Sequence, residues 1–176
     1  YDFTILDKIF DTYLQRGIKP MAQFSFMPEA LSTNPQPYEH HWQPGMPYDK
    51  VYTGWAYPPK DYKKWADLVY TWVKHAVERY GKAEVETWYW ELWNEPNIGY
   101  WKGTVDEYCK LYDYTADAAK RALPTIRMGG PETTGPSWNK AADFLKTFLT
   151  HCVSGKNYAT GKIGSPLDFI TRRSSD

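Results

Sequence analysis

The 176 residues suffice for one domain and are too few for two ordinary ones. Lys plus Arg and Asp plus Glu both number 21, and this balance removes any electrostatic case for nucleic acid or an acidic membrane surface. No apolar run reaches the roughly eighteen residues of a bilayer span, so no membrane partner is expected; the aromatic share of 18%, with 9 Trp and 15 Tyr, suits sugar faces as well as cores and interfaces.

In chain order, "FTILDKIFDTYLQRG" places Ile5, Leu6, Ile9, Phe10, Tyr13 and Leu14 at helical spacing, with Gly17 as its stop. "IKPMAQFSFMP" reads as a short apolar strand closed by Pro28. A loop of about thirty residues follows, rich in Pro, Tyr and His, a length that is uncommon without a function. A helix over 61–80 would bury Tyr62, Trp65, Val69, Trp72, Val73, Ala76 and Tyr80, ending at Gly81. Then come the strand "TWYWELWN", a helix over 105–122 with Pro124 beyond it, the strand "TIRMGGP", the helix "KAADFLKTFLTHCV" and the strand "LDFIT". Such alternation implies parallel strands joined by crossover helices. No Gly-rich phosphate turn is present, which weighs against an open dinucleotide-binding sheet. The expectation is an α/β chain of TIM-barrel type, one partial catalytic domain over residues 1–176. A full barrel takes about 250 residues, so four βα units make about half of one.

In a barrel the chemistry sits beyond the C-terminal strand ends, where Glu29, Asn94, Glu95 and Glu132 all fall. Strand alternation would put Glu91 and Glu95 on one face, but four residues of extended chain separate them by roughly 13 Å. Retaining glycosidases need carboxyls about 5–5.5 Å apart, and inverting ones about 6.5–9.5 Å. Glu91 therefore reads as a buried structural acid in need of a cation or a hydrogen-bond donor. Glu95 stands at the mouth, where Trp and Tyr neighbours that withdraw water would favour the neutral form a general acid needs. Asn94 can offer donor and acceptors to a hydroxyl. From the pair alone, helix capping or a surface ion pair serves Glu95 equally well.

"WELWNEPN" resembles the strand-four signature of the large retaining glycoside hydrolase clan built on this barrel. "GIKPMAQFSFMPEAL", "YPPKDYKKWADLVYTWVKHAVERYG", "YWKGTVDEYCKLYDYTADAAK", "RMGGPET" and "PLDFI" narrow the likeness to glycoside hydrolase family 39, closer to its β-xylosidases than to its α-L-iduronidases. The resemblance implies that these are barrel strands three to six. It implies Glu95 as acid/base of a double displacement, Asn94 on the sugar 2-hydroxyl, and xylosides or xylo-oligosaccharides as substrates. It also matches Trp101 to an aromatic wall of the sugar site; packing under its loop is the other reading. Glu29 is a mouth residue by position only.

The family nucleophile, a Glu after strand seven, has no counterpart in these residues. "TRRSSD" departs from the family, which usually has a His near the place of Arg173. Glu132 follows the neighbouring strand, about 4.8 Å away; a capping or loop role is preferred for it over a substitute nucleophile. The alternative function is a non-catalytic carbohydrate-binding remnant, and a plain scaffold is a third. Open sheet edges invite self-association or pairing with the missing barrel half. Cys109 and Cys152 read as buried thiols. No cofactor and no metal are expected: His40 and His41 with Glu39 lack ligand spacing, and His75 lies on another helix. Both ends look cut, and no address signal marks a compartment.

Overall fold

The computed structural model describes residues 1–39, 42–137 and 139–173, which leaves the His40–His41 pair considered above outside the described residues. Helices α1 (Thr4–Gln15), α2 (Tyr62–Tyr80), α3 (Lys82–Val85), α4 (Val105–Ala122) and α5 (Asn139–Ser154) alternate with strands β1 (Met21–Phe24), β2 (Tyr89–Leu92), β3 (Arg127–Thr133) and β4 (Phe169–Arg172). The strands form one parallel sheet in the order β1-β2-β3-β4. Every crossover runs to the adjacent strand, which is the winding of a (β/α)8 barrel; four of its units are present.

The helix limits follow capping chemistry. The Asp61 carboxylate accepts from the Lys63 and Lys64 amides at 2.9 and 3.1 Å, and Gly81 stops α2 at φ 83°. Thr104 and Glu107 form a reciprocal capping box at the start of α4. The stripe of α2 is buried at Trp65, Val69, Val73 and Ala76, with Tyr62, Trp72 and Tyr80 half-buried. On α1, by contrast, only Phe10 is buried, and Ile5 is 74% exposed. The helical spacing there is real, yet no element among the described residues covers most of that face.

On the outer face of the sheet, Phe24, Trp88 and Trp90 pack with Phe10 and Trp72, with ring centroids 5.1–6.4 Å apart. Buried Cys109 and Cys152 are free thiols, and burial pushes both up to about 12. The long loop after β1 holds three short 3-10 turns and its own hydrogen bonds, among them Ser32 Oγ to the Gly54 carbonyl at 2.6 Å. Its Ala56 carbonyl accepts from the Lys102 amide at 2.8 Å, which ties it to the loop after β2.

The inner face is polar where its strands align. Gln23 and Glu91 are register partners, and Gly129 sits beside Glu91 on β3. Because Gly129 has no side chain, Glu91 can reach across it to Thr171 on β4, whose hydroxyl donates at 2.8 Å. The ring of Phe169 fills the remaining space and would stand 2.5 Å from a Cβ at position 129. Glu91 also accepts from Gln23 Nε2 at 2.9 Å. It is thus a buried acid held by neutral donors, with no cation in its contacts among the described residues.

Burial raises the Glu91 carboxyl above its ordinary 4.5, the Glu132 charge adds to this, and the two hydrogen bonds oppose it. A carboxyl raised on folding stabilises the fold fully below its unfolded value, and that contribution fades as pH rises. Stability should therefore fall as pH climbs above 4.5, and Glu91→Gln should flatten this part of the profile, as read by urea unfolding at stepped pH. Trp90→Ala, which empties a fully buried site, should cost about 3–5 kcal/mol in the same assay.

Candidate active site

The pleat of β2 ends at Leu92, two residues short of the strand expected from sequence. Trp93 then takes φ 71° and Glu95 φ 46°, left-handed values that a bulky residue adopts only when its surroundings impose them. Those surroundings are visible. The Trp93 amide donates to the Phe24 carbonyl, and its fully buried ring packs at 5.4 Å from Phe26 and 5.1 Å from Trp101. Its indole N–H donates to the Tyr100 carbonyl at 2.8 Å. The extended-chain spacing between Glu91 and Glu95 consequently no longer applies, because Trp93 breaks the alternation on which it rested.

Glu95 follows at the C-terminal end of the sheet. Its amide donates to the Glu132 carbonyl at 2.9 Å, and its side chain keeps 13% of its surface exposed. Arg173, mostly exposed, approaches it with Nε 3.9 Å from Oε1. The side chain of Asn94 makes no hydrogen bond among the described residues and is half-buried. Asn97 clamps the rim, donating to Thr134 Oγ1 at 2.7 Å and accepting from the Thr134 amide at 3.0 Å.

Glu132 departs from the capping or loop role expected of it. It too is left-handed, at φ 48°, and its side chain is 20% exposed. Its carboxylate accepts from Gln23 Nε2 at 2.7 Å and lies 4.0 Å from Arg173 Nε. Burial raises it above its ordinary 4.5; Gln23 and Arg173 pull it down, and the Glu95 charge pushes it up. Gln23 itself cannot turn over, because Ser25 Oγ donates to its amide oxygen at 2.8 Å. The tertiary fold thus brings Glu95 and Glu132 together, with Asn94 beside them.

The other two candidates lie elsewhere. Trp101 is 5% exposed; its N–H donates to the Thr104 carbonyl, and its ring meets Trp93 and Tyr108 edge to face. That is the packing arrangement under the loop. Glu29 is exposed on the 3-10 turn Glu29–Leu31 and accepts from Gln36. Gln23, Ser25 and Thr171 carry little mark in the sequence; their one signal is a polar residue in or just after an otherwise apolar strand. No group of three His, Cys, Asp or Glu among the described residues could hold a metal ion. No helix among them is long and apolar enough to cross a membrane.

Comparison with known proteins gives this geometry a setting. The sequence model of glycosyl hydrolases family 39 matches residues 1–176. A β-xylosidase of Geobacillus stearothermophilus is 39% identical over 174 residues, which is 98% of this chain and 30% of that protein. An α-L-iduronidase of Mus musculus is 26% identical over 97% of this chain and 24% of its own length. The crystal structure of a monomeric β-xylosidase from Caulobacter crescentus CB15 superposes with a TM-score of 0.74 at 37% identity, covering 98% of this chain and 30% of that one. The chain therefore spans only 24–30% of the length of these relatives. By the match of its whole length, the chain belongs to glycosyl hydrolase family 39.

Proposed function

We propose that these residues carry the acid/base part of a retaining β-xylosidase active site. Glu95 protonates the glycosidic oxygen as the sugar leaves, and then takes the proton of the incoming water. Asn94 holds the 2-hydroxyl, where hydrogen bonds strengthen as the oxocarbenium-like transition state forms. The nucleophile belongs to a barrel strand outside these 176 residues, so the terminal β-xylosyl unit of a xyloside or xylo-oligosaccharide is cleaved by a more complete barrel.

The observation that carries this reading is the placement of the Asn94–Glu95 turn. It stands at the C-terminal rim of a parallel sheet, with a partly exposed carboxyl and a side-chain amide that makes no hydrogen bond among the described residues. Likeness to two β-xylosidases at 39% and 38% identity favours xylosides over iduronides, since an α-L-iduronidase is 26% identical over a similar span.

The 176-residue chain alone should hydrolyse aryl xylosides negligibly, since loss of one member of a catalytic unit removes most of the rate. Joined with the remaining barrel segments of the Geobacillus stearothermophilus relative, it should turn over alkyl xylosides. Glu95→Gln in that assembly should lower the rate by about 10²–10⁴-fold. Xylosides of acidic phenols, whose departure needs no proton, should lose less in the first step. Xylose binding by calorimetry with no turnover in any pairing would instead favour the carbohydrate-binding remnant.

A further inference from the structure

A general acid beside a guanidinium faces a conflict, because the cation favours the carboxylate over the neutral acid it must be. Arg173 Nε stands 3.9 Å from Glu95 Oε1 and 4.0 Å from Glu132 Oε1. With each oxygen that close to the same nitrogen, the two carboxyl oxygens lie within about 8 Å of one another, near enough for their charges to interact through a partly desolvated rim. Among the described residues the surroundings add little else of charge. β1 contributes the neutral Gln23, the residue just after that strand the Ser25 hydroxyl, β2 contributes Glu91, and β4 contributes the Thr171 hydroxyl. Glu91 spends its two oxygens on Gln23 and Thr171, so Glu132 is the carboxylate that shares Arg173 with Glu95.

We propose that Glu132 is a positioning residue for the proton of Glu95: two carboxyls around one guanidinium form a set that is electrically balanced when it holds a single proton. Arg173 neutralises one carboxylate, and the second can then remain protonated beside it at little cost. Gln23 orients Glu132 toward this set by a hydrogen bond of 2.7 Å. The backbone bond from the Glu95 amide to the Glu132 carbonyl keeps the two residues in step, and does not depend on the side chain at 132. The role rests on Glu95 being the acid/base, and it adds a residue that the Asn-Glu signature does not contain.

The test is a carboxyl 13C titration of the Glu-labelled 176-residue chain, which needs no turnover. In the unaltered chain, Glu95 and Glu132 should each report the step of the other, as coupled sites do. Glu132→Gln leaves Glu95 alone with Arg173, and its transition should move down and become a single step. Glu132→Asp, which restores the charge, should move it back toward the starting value. Arg173→Gln should move both transitions up, and this arm stands should Glu132→Gln fail to fold. A Glu95 transition unmoved by Glu132→Gln, with the Glu91 resonance unchanged to show an intact interior, overturns the proposal. So does a pair unmoved by Arg173→Gln. An assembled barrel that keeps full activity as Glu95→Gln would overturn the acid/base reading while leaving a measured coupling in place.

Discussion

One amide nitrogen holds the polar interior together. Gln23 Nε2 donates to Glu91 and to Glu132, two carboxylates on two different strands that would otherwise lose water without full replacement. An unmet buried acceptor costs about 1–3 kcal/mol, so the location of this amide constrains both acids and, through them, the rim. Ser25 fixes which end of the amide faces inward. The arrangement needs the parallel register that sets Gln23 opposite Glu91, and the empty place at Gly129 that lets Thr171 reach the far oxygen.

Around this polar strip the aromatic residues divide into two packings with different consequences. Phe24, Trp72, Trp88 and Trp90 join the sheet to its helices, in the buried core or, for Trp72, packed against it. Phe26, Trp93 and Trp101 lie at the C-terminal rim and hold the chain in left-handed conformations at Trp93 and Glu95. The second set stabilises a backbone that would not otherwise persist, and its result is the direction in which Glu95 points. Site precision here comes from packing behind the loop, with the Asn97–Thr134 clamp bracing it from the residue that follows β3.

The outer margins of the fold show the opposite balance. Ile5 and Ile9 on α1, Met21 on β1 and Ile170 on β4 are exposed, although their spacing is that of buried residues. They lie on or beside the two edge strands, whose parallel pairing is normally continued on both sides. These surfaces fit a chain that corresponds to 30% of the length of its β-xylosidase relative and to half a barrel.

Much of the fold was legible in the residues alone, because period, caps and turns are local. Helix α2 could be read from its stripe and from Asp61 and Gly81, and the end of α4 from Pro124 beyond it. The Asn94–Glu95 pair stood out through its aromatic run and the proline behind it. The strand limits were less legible: β2 stops at Leu92 and β3 extends to Thr133, since ladder pairing and the turn at Trp93 depend on neighbours far along the chain. The relation among Gln23, Glu91, Glu132 and Arg173 could not be read at all. Those residues are separated by up to 150 positions, and only strand register and the backbone angles at 95 and 132 bring their charges into one place. Sequence thus determined which groups the chain has for proton transfer, and tertiary structure decided which of them share a charge, because electrostatic coupling falls with distance in space and takes no account of distance along the chain.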